Sequence, residues 1–189
     1  MSKLKLYAKK VYRFIFQDDS IWSWIVNVIL AFLIVKFLVY PGLALILGTQ
    51  LPLVAVISGS MDHEGLAFDS WWAENAEWYE EQGISQEMFD SYKFTNGFNK
   101  GDVMILIGAN NLAVGDVMVY NSGGHNYPII HRVTFINEEE SLYQLKGDHN
   151  SVEDPDLVEE NQILGKAVVR IPWIGWIKIW FTELIGIGG

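Results

Sequence analysis

At 189 residues the chain has room for one domain and an appendage. Its formal net charge of −10 argues against a nucleic-acid partner, because phosphate binding calls for clustered lysine and arginine. The absence of cysteine excludes a disulfide scaffold, a thiolate zinc site and a cysteine nucleophile, so packing holds the fold.

Residues 1–20 form a basic tail carrying Lys3, Lys5, Lys9, Lys10 and Arg13. The next run, "IWSWIVNVILAFLIVKFLVY" at 21–40, holds a single charge, Lys36. About 20 apolar residues are enough to cross a hydrocarbon core, so 21–48 is predicted to be a transmembrane anchor. The apolar run resumes after Pro41-Gly42, and the sequence leaves open whether the helix ends at Pro41 or continues with a kink. A cleavable leader has a shorter apolar core and a small-residue cut site, so the anchor is expected to stay on the protein. The positive-inside rule places the N-terminus in the cytoplasm and everything after the span outside, at the cell membrane.

The extracytoplasmic domain is expected to span 49–175. It opens with "VAVISGSM" at 54–61. A β-branched run ending in two serines split by a glycine reads as a strand delivering Ser60 to a tight turn, with Gly59 supplying a positive φ. Most such turns are plain surface turns, so Ser60 needs support from elsewhere. Residues 64–99 form an acidic insertion of helical character, in which Glu74, Glu77, Glu80, Glu81 and Glu87 alternate with Trp71, Trp72, Trp78 and Met88. It reads first as a solvated acidic face with its aromatics packed on a sheet. The sharper alternative is a cap or docking element. Short apolar runs at 102–108, 116–121, 128–137, 141–147 and 163–172, bounded by Gly, Asn, Asp and Pro, predict a mainly β domain, a compact antiparallel sheet or barrel. The tail, 172–189, is apolar but broken by Pro172 and Gly175 and reads as an interfacial helix with tryptophans at headgroup depth.

A serine hydroxyl needs a base, and the base needs an orienting group. Four histidines compete. His63 is too near Ser60 along the chain, His125 sits in the exposed turn "SGGHNYP", and His149 has no derivable role. His131 lies in the apolar strand "PIIHRV", where a lone histidine is more often a satisfied core residue than a base. The loop "KGDHNSVEDPD" at 146–156 gathers Asp148, Asp154 and Asp156. No metal-ligand spacing such as H-E-x-x-H is present, so no metal or other cofactor is expected.

Five motifs in one order carry more weight than any of these residues alone: "SGSM", "GDVMVY", "IIHRV", "KGDHN…D" and "ILGKAVVRIPWIGW". Over roughly residues 50–180, apart from the insertion, the chain resembles the type I signal peptidases of the archaeal and endoplasmic-reticulum branch. Bacterial members use a lysine as base; the matching position here is His131. The resemblance implies a membrane-anchored serine endopeptidase that removes signal peptides from exported precursors. It gives Ser60 the role of nucleophile, His131 that of general base, and Asp154 that of orienting the imidazole. Asp148 is the second acid of the loop, and Ser58 supports the oxyanion. Val56, Ile57, Ile129 and Ile130 flank the nucleophile and base and are expected to form shallow apolar substrate pockets that admit small residues. The implied partners are signal-peptide-bearing precursors, the lipid bilayer and the protein-export channel. The chain departs from the family pattern in three places. His63 follows Asp62 where proline is usual, "GDHN" stands for the commoner "GDNN", and the insertion fills a stretch that is normally short. None of the assigned roles lies in the insertion, so it is expected to be dispensable for the chemistry. The rival reading is a non-catalytic membrane-bound adaptor that recruits partners through the insertion.

Overall fold

The computed structural model describes residues 3–124, 126–184 and 186. It divides into two compact units, Met1–Ile46 and Leu47–Gly189.

The first unit is helical. The basic tail is itself a helix, α1 (Lys3–Gln17), followed by α2 (Ile21–Ile34). Ser20 caps α2 by accepting the Ser23 N–H at 3.2 Å. Ser23 Oγ and Asn27 Nδ2, polar groups within the apolar run, donate to the Phe14 and Ile15 carbonyls at 2.5 and 2.8 Å. Those carbonyls lie in the last turn of α1, where no intrahelical partner exists. The helix does not end at Pro41. A π-helical turn, Val35–Val39, links α2 to α3 (Tyr40–Leu47), with the Tyr40 N–H bonded to the Val35 carbonyl. Proline has no N–H and crowds the carbonyl four residues back, and a wider turn just before it relieves that crowding. The result is a 27-residue apolar helix, Ile21–Leu47. At 1.5 Å per residue it is about 40 Å long, enough to cross a membrane.

The second unit is built on a curled antiparallel sheet of seven strands. They are β1 (Leu53–Ala55), β2 (Val103–Ile107), β3 (Val117–Tyr120), β4 (Ile129–Asn137), β5 (Leu142–Lys146), β6 (Val158–Glu159) and β7 (Ile163–Ile171). Their order is β1-β2-β7-β3-β4-β5-β6. All five later runs predicted from sequence form strands. The first strand stops at Ala55, two residues earlier than its apolar run suggests, and β6 is too short to leave a pattern. The central strand β3 is buried on both faces. Val117 and Val119 join Val56, Met61, Phe98, Met104, Leu106, Ile130 and Ala167 on one side. Met118 and Tyr120 join Val133, Leu145 and Val158 on the other. The alternation of strand side chains therefore decides which core each residue enters.

The insertion folds as α4 (Phe68–Glu81) and α5 (Gln86–Asp90). Its glutamates face solvent, as expected. Its aromatics pack mainly on one another: Phe68, Trp71, Trp72, Tyr79, Ile84 and Phe89 form a separate core. At the other end of the unit, α6 (Gly175–Leu184) leaves Ile177, Trp180, Phe181 and Leu184 exposed, while Gly175 and Ile179 are buried. Any side chain at Gly175 would stand 2.7 Å from the Asp102 carbonyl oxygen, which fixes a glycine there.

Leu106 is fully buried on β2. Leu106→Ala is expected to lower the unfolding free energy by about 2–5 kcal/mol, read from denaturant unfolding of the chain in detergent, with the strand content of the folded state unchanged.

Candidate active site

The nucleophile candidate sits on a turn rather than on a strand. Val56 continues from β1 and exchanges backbone bonds with residues 101–102: its N–H donates to the Asp102 carbonyl and its carbonyl accepts the Gly101 N–H, both at 2.9 Å. The chain then turns, with the Asp62 N–H bonded to the Gly59 carbonyl at 3.0 Å. Met61 drops into the core and anchors the turn from below. Gly59 does not have the positive φ expected of it. A Cβ there would meet nothing within 4 Å, so the space beside the two serines is open. Ser58 Oγ and Ser60 Oγ are 3.2 Å apart and share a hydrogen bond.

The base candidate is oriented on β4. The His131 Nδ1–H donates to Asp154, 2.7 Å from Oδ2 and 2.9 Å from Oδ1. Asp154 is fixed in turn. Its N–H donates to the Leu145 carbonyl at 2.8 Å, its carbonyl accepts from Gln144 Nε2 at 2.7 Å, and its Oδ2 accepts the Tyr120 hydroxyl at 2.7 Å. Burial, and then this bond to Asp154, push the Tyr120 phenol well above its ordinary range. Tyr120 was not picked out from sequence. The strand period contains the signal: Met118 pairs with His131 across β3 and β4, and Tyr120 is two residues further along the same face.

The nucleophile's turn and the base meet around Gly147. A Cβ on Gly147 would stand 2.6 Å from the Ser60 carbonyl oxygen and 2.9 Å from His131 Nε2. The His149 N–H donates to the same Ser60 carbonyl at 2.9 Å. Among the described residues no hydrogen bond joins Ser60 Oγ to His131. Such contacts are often long before substrate is bound. Beside His131 and Asp154 lies a cleft of about 270 Å³, lined among others by Tyr120, Ile129, Asn150, Asp156 and Leu157.

Asp148 stands apart from this group. It is fully buried and faces away from the imidazole. Arg132 holds it with Nε to Oδ1 at 2.9 Å and Nη2 to Oδ2 at 2.7 Å. His63 Nε2 reaches Oδ2 at 3.2 Å and the Tyr79 hydroxyl reaches Oδ1 at 3.3 Å. Burial alone would raise its pKa; the Arg132 charge and bonds, then His63, more than reverse this and hold the carboxyl well below the ordinary range. As the second acid of the loop, Asp148 is therefore set against Arg132 and not against His131. The aspartate that touches the base is Asp154.

The other candidates divide as follows. Val56 and Ile130 are packed in the core, so their side chains are not free to line a pocket. Ile57 is exposed and Ile129 half-buried at the cleft. Asp156 lines the cleft without bonding the imidazole. His63, set aside from sequence for its nearness to Ser60, is buried and stacked on Trp71 at 3.9 Å. The His149 ring is half-exposed, 3.9 Å from Glu64. His125 lies outside the described residues. Among the described residues no group of histidine and carboxylate side chains is arranged to hold a metal ion.

A hydroxyl pair on an open turn, beside an imidazole fixed by a carboxylate, has the parts of a serine acyl-transfer site. No family model matches the chain. Curated relatives do. The signal peptidase complex catalytic subunit of Schizosaccharomyces pombe is 29% identical over 154 residues, 76% of this chain and 74% of the relative. The subunits of the same name from Yarrowia lipolytica and Plasmodium falciparum are each 27% identical, over 82% and 85% of this chain and 81% and 74% of theirs. Over most of its length the chain is similar to these catalytic subunits, which are of the archaeal and endoplasmic-reticulum type of signal peptidase I, and the likeness supports a signal-peptidase enzyme.

Two measurements probe this geometry. Gly147→Ala is expected to cut turnover at least tenfold while the fold persists, because its methyl would displace either the Ser60 carbonyl or the imidazole. Circular dichroism beside peptide cleavage checks both halves. The second concerns Lys146, which is buried with its ammonium over the Trp78 and Tyr79 rings. Burial, against the pull of Asp148, lowers its pKa to about 8 from the ordinary 10.5. Above pH 8 the folded lysine gives up its proton while the unfolded one keeps it. The unfolded state then binds more protons, so this group's contribution to stability rises between pH 8 and 10.5. The melting temperature of wild type should climb relative to Lys146→Met across that window.

Proposed function

We propose that the chain is a membrane-anchored serine endopeptidase that cuts signal peptides from exported precursors. The observation that carries this reading is the His131–Asp154 bond set against the Ser60 turn at Gly147. Ser60 Oγ attacks the scissile carbonyl while His131 Nε2 takes its proton. Asp154, acting on Nδ1, holds the tautomer that leaves Nε2 free to accept and steadies the imidazolium that forms. The Ser58 hydroxyl and the Ser60 N–H donate to the oxyanion. His131 then returns the proton to the departing amine, and water releases the acyl group by the same steps in reverse order. Asp148 serves by holding the loop and is not itself a proton carrier.

The substrate is an extended segment with small residues at the cut site, which suits the open turn at Gly59 and pairing beside residues 56–57. Ile57 and Ile129 border its path, and Val56 and Ile130 support that path from below. The Ile21–Leu47 helix tethers the domain to the membrane that its substrates cross. Lys3, Lys5, Lys9, Lys10 and Arg13 keep the N-terminus in the cytoplasm and the peptidase domain on the far side of the cell membrane. The exposed Trp180 of α6 and Trp173 just before it rest at the lipid surface, and the export channel is the neighbour that delivers precursors.

The test is mass spectrometry of a signal-bearing precursor incubated with the detergent-solubilised chain. One defined cut is expected, lost by a factor of about 10³ or more in Ser60→Ala and in His131→Ala. Asp154→Asn should impair turnover far more than Asp156→Asn, since only Asp154 bonds the imidazole. No cut by wild type would favour the adaptor reading.

A further inference from the structure

The insertion carries none of the proposed catalytic residues, yet it reaches the buried Arg132–Asp148 pair behind the site. The Lys93 and Phe94 carbonyls accept from Arg132 Nη1 and Nη2 at 3.0 and 3.1 Å. The Phe89 ring lies 4.6 Å from the guanidinium. The Tyr79 hydroxyl accepts from Lys146 Nζ at 3.3 Å and donates to Asp148 Oδ1 at 3.3 Å. This counts against the expectation that the insertion is a dispensable cap, because removing it would take away two acceptors of the buried Arg132.

His63 completes the arrangement. Its Nε2 faces a carboxylate oxygen and so carries the proton, leaving Nδ1 buried without a hydrogen-bond partner among the described residues. The ring is held by its stack on Trp71 of α4, nearly parallel at 3°. His63 therefore comes from the nucleophile's own turn, is gripped by the insertion, and donates to the carboxylate that the insertion's Tyr79 also reaches.

We infer that Tyr79 and His63 are positioning residues: acting through Asp148, they clamp the 147–150 loop against Ser60, so that the insertion is part of the active-site scaffold. The reason is geometric. Asp148 lies between Gly147, which separates Ser60 from His131 Nε2, and His149, whose N–H holds the Ser60 carbonyl. A carboxylate fixed by four donors cannot rotate without breaking bonds, so the residues on either side are fixed too. With one donor missing, the loop gains freedom where about 1 Å of misplacement is costly to catalysis. Tyr79 and His63 touch neither substrate nor reacting atoms and act only through Asp148. The catalytic half of this inference rests on the peptidase reading.

Tyr79→Phe removes the hydroxyl and keeps the ring among Trp71, Trp72 and Phe89. Two readouts decide. In hydrogen exchange on the full chain, the His149 amide should exchange about tenfold faster in the variant, beyond any change in the β2 amides, which report general loss of stability. In precursor cleavage, kcat should fall about tenfold with KM unchanged, a split that general loss of folded protein does not produce. An unchanged His149 amide would overturn the clamp. A faster amide with wild-type kcat, in an enzyme that does cut, would overturn the positioning role. Should Tyr79→Phe fail to fold, His63→Phe keeps the ring on Trp71 and removes the other donor, and the same two outcomes apply. A wild type that cuts no precursor would sink the peptidase reading, and the exchange comparison would still decide the clamp.

Discussion

Four donors, from three different parts of the chain, converge on the two oxygens of Asp148. Arg132 supplies two of them from the strand that carries His131, His63 supplies one from the turn that carries Ser60, and Tyr79 supplies one from the insertion. Such a buried charge is tolerable only because it is paired and fully bonded. The consequence is mechanical. Removing one neighbour leaves charge buried without compensation, so the segments that meet at this carboxylate are locked into one arrangement. The loop from Gly147 to His149 inherits that rigidity and holds the Ser60 carbonyl in place.

The second carboxylate of the same loop has the opposite character. Asp154 is partly solvent-accessible, bonds the imidazole and a phenol, and opens on a cleft. Two aspartates six positions apart thus divide between structure and proposed chemistry according to their surroundings. Arg132 neutralises Asp148 with a permanent charge. Asp154 faces only groups that exchange or share protons, the condition under which a carboxylate can orient a base as its charge changes. Tyr120 links this pair to the central strand, so the geometry of the base depends on the packing of β3 as well as on its own strand.

The helical unit shows the same economy of polar groups. Ser23 and Asn27 interrupt an apolar run and are matched by the carbonyls that α1 leaves open at its end. The π-turn at Val35–Val39 lets an apolar helix pass through proline without stopping. Local relief of this kind lengthens the helix to 27 residues, where a break at Pro41 would have shortened it.

The sequence by itself determined the apolar span, the five longer strands and the ordered motifs around Ser60, His131 and the aspartate loop. Each of these is written locally, as a run of hydropathy, a period of two or a fixed spacing. The resemblance gave Asp154 to the histidine, but the residues themselves do not separate it from Asp148; only the tertiary structure does, because the two share one loop and face different partners. The same holds for Val56 and Ile130, which look equivalent to Ile57 and Ile129 until the fold buries the first two, exposes Ile57 and leaves Ile129 half-buried. Gly59 offered a conformational argument that its actual φ does not need. Tyr79 and His63 lie 69 and 85 residues from Asp148 along the chain. No local pattern encodes contacts at that separation; they exist because the insertion's aromatic core packs a stacked ring and a hydroxyl onto a buried ion pair.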